Sequence, residues 1–93
     1  MRTYDYLKAL GYQQMTSLAA ATAPTVPAGT TMALITVEGQ DIRWRDDGTS
    51  PTATVGMLVT VGQTLQYDAG QLAVLKIIEV AASAKCNLSY YGT

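Results

Sequence analysis

Histidine is the side chain most often used to move protons near neutral pH, and this chain of 93 residues has none. Its one cysteine, Cys86, alternates with Leu88 and Tyr90. That pattern fits a small buried hydrophobe better than a thiolate nucleophile. A single cysteine cannot form an intrachain disulfide, and without histidine it has little to complete a zinc site. The glycines are scattered singly through turns, so no phosphate-cradling loop is present. One polar cluster remains, Arg43-Trp44-Arg45-Asp46-Asp47-Gly48. Two adjacent aspartates raise a cation site, but the alternating Asp/Asn and distal Glu of a calcium loop are missing. Two readings of the cluster stand. Asp46 and Asp47 open an Asx-type turn, with the arginines paired to them or to Asp41. Alternatively, Arg43 and Arg45 face outward and grip a partner's carboxylates. The chemistry points away from an enzyme, and no cofactor, metal or catalytic residue is expected.

Composition argues in the same direction. Hydrophobic residues make up 48% of the chain and charged residues 14%, against about 25% charged in ordinary domains. A surface of Ala, Thr, Ser, Gln and Gly suits a protein packed against other proteins. The net charge of −1 gives no basic footprint for nucleic acid and no attraction to an anionic membrane. No apolar run approaches the ~20 residues of a transmembrane helix. The first residues lack the apolar core of a signal peptide, so synthesis in a cytoplasm is expected. A domain this small buries a modest share of its surface, and with disulfides and metals set aside, oligomerisation or docking is the available reinforcement.

The elements that would position these residues read as β. MALITVEG (32–39) puts Ala33, Ile35 and Val37 on one face. Gly39-Gln40 turns tightly into DIRWR (41–45), where Ile42 and Trp44 oppose Arg43 and Arg45. Asp46 to Pro51 is a loop. Strands are expected from Val55 to Val59 and over TLQY (64–67), and a long central one over LAVLKIIEVA (72–81). CNLSYY (86–91) alternates Cys86, Leu88 and Tyr90 against Asn87, Ser89 and Tyr91. Residues 15–24 are ambiguous, with Ala favouring helix and Pro24 favouring an extended edge strand, which is preferred here. Six to eight short strands separated by Gly and Pro turns give an all-β, antiparallel sandwich or jelly-roll-like fold.

Residues 1–14 stand apart, and the expected division is an arm over 1–14 and a sandwich over 15–93. Thr3 can cap a short helix over 4–10 that Gly11 stops. Tyr4, Tyr6, Leu7, Leu10 and Tyr12 would then reach a neighbouring subunit, or fold back onto the domain. With Arg43 and Arg45 they form the expected interface. If the segment is an arm, deleting it leaves the domain folded.

The stretch from residue 23 to residue 91 resembles small structural proteins of tailed bacteriophages. The resemblance rests on a Pro-Ala-Gly turn (27–29), a strand ending Val37-Glu38-Gly39-Gln40, the run IRWRDDGTSPTATVGM (42–57), a Gly-Gln-x-Leu-x-Tyr strand (62–67) and a final Leu-Ser-Tyr-Tyr (88–91). The run from 42 to 57 is distinctive; the rest is generic β patterning. What the resemblance implies is a virion component on the capsid surface, most commonly a decoration or cement protein. Such a protein binds several major capsid subunits at once, so that weak contacts add up. A homo-oligomer is expected. Two alternatives remain: another virion part, such as a head–tail connector or fibre-anchoring domain, and a carbohydrate-binding β-sandwich using Trp44, Tyr67, Tyr90 and Tyr91.

Overall fold

The computed structural model describes residues 7–68 and 72–93. It contains seven strands: β1 (Lys8–Met15), β2 (Thr30–Glu38), β3 (Ile42–Arg45), β4 (Met57–Val59), β5 (Thr64–Asp68), β6 (Lys76–Glu79) and β7 (Lys85–Gly92). They form a four-stranded sheet in the order β1-β7-β2-β5 and a three-stranded sheet in the order β4-β3-β6. Every pairing is antiparallel. The chain is an all-β sandwich.

Alternation in the sequence explains the two faces. In β7, Cys86, Leu88 and Tyr90 are buried while Asn87, Ser89 and Tyr91 are half-exposed. Ala33, Ile35 and Val37 of β2 face the same way. The register places Ala33 beside Tyr90, Ile35 beside Leu88 and Val37 beside Cys86. From the other sheet come Ile42, Val59 and Ile77, and between strands Leu18, Leu72 and Leu75. Burying one such Leu or Ile side chain contributes about 1.5–3 kcal/mol. β7 is flanked by strands on both sides, and its inward residues are the centre of the core.

Residues 8–14 differ from the expected arm. Lys8 to Met15 form a strand, not a helix, and pair with β7 from Lys8–Gly92 to Met15–Cys86. The expected boundary after residue 14 falls inside this strand. Gly11 stops no helix; it follows a register shift in the ladder. Tertiary pairing overrides the weak local helix preference here. Tyr4 and Tyr6 lie outside the described residues.

Residues 15–24 are not a strand beyond Met15. They run along the outer edge of β6, joined to it by a single bridge between Thr22 and Ile77 and by the Glu79 amide donating to the Leu18 carbonyl at 2.9 Å. The long strand expected over 72–81 is also shorter. Leu72–Val74 form a 3-10 turn, and β6 keeps only Lys76–Glu79. It lies at the end of its sheet, not at its centre. A short apolar run reads alike whether it is strand or turn, and the exposed Val74 shows that this one is not a strand buried throughout. The Gly39-Gln40 turn carries the chain from one sheet to the other, since β2 and β3 belong to different sheets.

Polar side chains close the fold where the sheets end. Gln13, on the inward side of β1, accepts from the Tyr90 hydroxyl at 2.8 Å and from the Thr25 amide at 2.9 Å. On the outer face, Asn87 accepts from Tyr12 at 2.6 Å and Gln14 at 3.0 Å, and donates to Glu38 at 2.6 Å. This face is a ladder of hydrogen-bonded polar groups across β1, β7 and β2.

Candidate functional site

The loop that follows β3 gives the sandwich an open cleft at one end, of about 520 Å³, lined by Trp44, Arg45, Asp46, Asp47, Val55, Gly56 and Met57. Trp44 shares the inward face with Ile42 but lies farther along, where the core runs out, so it is only partly buried. Its ring meets Tyr67 edge-on, with centroids 5.7 Å apart at 90°. The Tyr67 hydroxyl donates to the Asp46 carboxylate. Burial, then that bond, pushes the Tyr67 phenol well above its ordinary pKa. The inner wall is thus fixed by an aromatic pair with its polar end satisfied.

The two arginines do different work. Arg45 binds Asp47 through both ends of its guanidinium, with Nε at 3.1 Å from Oδ1 and a second bond to Oδ2. The guanidinium holds the Asp47 carboxyl below its ordinary pKa. Asp47 is exposed and Arg45 only half-buried, so the pair adds little stability and shapes the cleft rim instead. Asp47 also accepts from the Thr49 amide, the Asx-type turn expected from the sequence. Among the described residues Arg43 pairs with no carboxylate. Its Nε donates to the Ala53 carbonyl at 3.2 Å and its Nη1 to the Gly56 carbonyl at 2.9 Å. Between them, Thr52 binds back to the amides of Thr54 and Val55. Arg43 therefore straps the loop to its own sheet and is already engaged within the chain. Arg43→Ala is expected to lower the unfolding free energy by about 1–2 kcal/mol, measured by urea denaturation. Arg45→Ala should cost less. The reverse order would remove the strap.

Of the other expected interface residues, Tyr12 is exposed and spends its hydroxyl on Asn87. Leu10 lies against Gly92 and is partly exposed. Leu7 lines a shallow groove with Met32, Leu34, Gln66 and Tyr91 on the outer face of the larger sheet. Leu7, Leu10 and Tyr12 thus lie on the larger sheet, while Arg43 and Arg45 lie on the smaller one; they do not form one surface. Of the aromatics a glycan platform would use, Tyr67 and Tyr90 are core residues.

The residues not expected from the sequence are Val55, Met57, Leu58 and Val61, all large, apolar and exposed. They cluster on and around β4. The signal in the sequence is the absence of any charged residue from Ser50 to Tyr67. Cys86 is fully buried, and burial pushes its thiol up to about 12, so it stays protonated at neutral pH. Among the described residues no cluster of His, Cys, Asp or Glu could hold a metal ion. Compared with protein-family models, with curated proteins and with solved structures, the chain finds no match.

Proposed function

We propose that the chain is a structural protein of tailed-bacteriophage particles, a capsid decoration or cement protein that binds coat subunits on the outer shell. The observation that carries this reading is the cleft end of the sandwich. Trp44, Met57 and Val55 give an apolar floor and Arg45 with Asp47 a polar rim. Aromatic, Met and Arg residues inside a polar margin are the composition of protein–protein contact surfaces. The run that most resembles phage structural proteins, residues 42–57, is the run that builds this surface. Its strap and aromatic pair hold the surface rigid before any partner arrives, which lowers the entropic cost of binding.

The test is copy number, with quantitative mass spectrometry of tailed-phage particles whose genome encodes the chain. Copies in proportion to coat subunits support a decoration protein. A number matching one vertex or one tail supports a connector or fibre anchor, and absence from the particle overturns the virion reading. Met57→Asp, which puts a charge on the cleft floor without touching the core, should reduce rebinding to stripped particles at least about tenfold. Unchanged rebinding would place the contact elsewhere.

A further inference from the structure

The backbone of β4 shows where the smaller sheet can grow. On the far side of that sheet, Thr22 and Ile77 exchange two amide–carbonyl bonds, both at 2.9 Å, and the Glu79 amide reaches Leu18. Ile77 and Glu79 thus turn their backbone groups away from β3. Because such groups alternate in direction along a strand, β3 bonds to β6 through Arg43 and Arg45, and to β4 through Ile42 and Trp44. Opposite those two stand Val59 and Met57. Leu58, between them, points its N–H and C=O away from the sheet. On either side the outward groups are taken. Gln63 binds the amide of Thr60 at 2.8 Å and its carbonyl at 3.0 Å, and the Gly56 carbonyl accepts from Arg43. Among the described residues, nothing meets the two outward groups of Leu58.

We propose that β4 pairs antiparallel with β4 of a second copy across a two-fold axis at Leu58, joining two three-stranded sheets into one of six. The occupant follows from self-complementarity. A two-fold at Leu58 sets its N–H against the Leu58 carbonyl of the second copy, and the reverse, closing both groups at once. The same axis puts Met57 opposite Val59 of the second copy, with Val55 and Val61 in the bend and turn that flank the paired strands. Met57 and Leu58 are 59% and 49% exposed in the single chain, and this one operation covers both. Residues 50–67 carry no charge, so the paired segments bring no like charges together; the nearest cation, Arg43, is already held by the Ala53 and Gly56 carbonyls.

Sheet edges are usually guarded by charge, bulges or covering segments, and the other edges are guarded here. β6 is covered by residues 18–22. β1 has a register shift and begins with Lys8. β5 ends in Asp68. Among the described residues β4 carries no charge, bulge or covering segment on its outer side, and its protection is its length of three residues. The pairing goes beyond the virion role and does not depend on it; Met57 lies both in the cleft and at the seam, so the test of pairing is made at Leu58, which does not line the cleft.

The experiment is sedimentation equilibrium of the purified chain from about 5 to about 500 µM, the range in which a weak dimer forms. The expected result is a mass rising from one chain to two and no further. Leu58→Lys and Leu58→Glu each place like charges on the axis, and each should raise the dimer dissociation constant at least about tenfold. An equimolar mixture of the two should recover a heterodimer, because opposite charges then meet. Thermal melts of the variants verify folding, and Val61→Lys serves as a second monomerising variant off the axis. A wild-type chain monomeric throughout, single variants that dimerise like wild type, a mixture that stays monomeric, or growth beyond two chains would each overturn the proposal. None of these outcomes bears on copy number in the particle.

Discussion

Deleting residues 1–14 is expected to abolish the cooperative thermal transition of the domain. The sequence suggested the opposite, because tyrosines and leucines on a terminus look like an arm. In the structure, Lys8 to Gln14 supply most of the strand that covers one side of β7. Their loss turns the strand that carries Cys86, Leu88 and Tyr90 into an unprotected edge. It also removes Gln13, the acceptor for the buried Tyr90 hydroxyl. An unmet buried hydroxyl alone costs about 1–3 kcal/mol, and a small domain has only about 5–15 kcal/mol in total. Gln13→Ala isolates that share and should lower the melting temperature by several degrees. The measurement is far-UV circular dichroism against temperature. A truncated chain that melts cooperatively within a few degrees of the full one would return residues 8–14 to the status of an arm.

The second large effect is expected at Gly39. Its φ of +83° lies in the left-handed region, and an added Cβ would run into the carbonyl oxygen of Ser83. Two connections between the sheets, 39–41 and 80–84, press together at this point. Gly39→Ala should therefore combine backbone strain with overpacking against a carbonyl that cannot swing aside, about 2–5 kcal/mol in all. Gly62 is the internal control. Its φ is +88°, yet an added Cβ there meets nothing within 4 Å. Gly62→Ala should show the strain alone, about 1 kcal/mol. Equal losses at the two positions in urea denaturation would mean that the Ser83 carbonyl yields.

These two cases mark what the residues reveal by themselves. The inward faces of β2 and β7 were legible, because Ala33-Ile35-Val37 and Cys86-Leu88-Tyr90 alternate strictly and only one side of each is buried. The loop from Asp46 to Pro51 was legible from its turn residues. The partners of Arg43 were not, because they are backbone carbonyls, and carbonyls leave no mark in residue identity. β4 was legible as a strand but not as an open edge. In a three-residue strand with two exposed apolar side chains, alternation cannot tell core from surface. The strand over residues 8–15 was not legible, because its pairing with residues 85–92 is a long-range property and local preference says nothing about it.

The segment from Leu18 to Thr22 has a consequence for how many chains one assembly can hold. A sheet with both ends open has a valence of two and extends indefinitely as a fibre. Here those residues occupy one end of the smaller sheet, so its valence is one. Joining through β4 uses it up, and growth in that direction stops at a pair. Loosening residues 18–22 from β6, for example with Thr22→Pro, which removes the amide that bonds the Ile77 carbonyl, would restore the second valence and turn a closed pair into a chain of sheets.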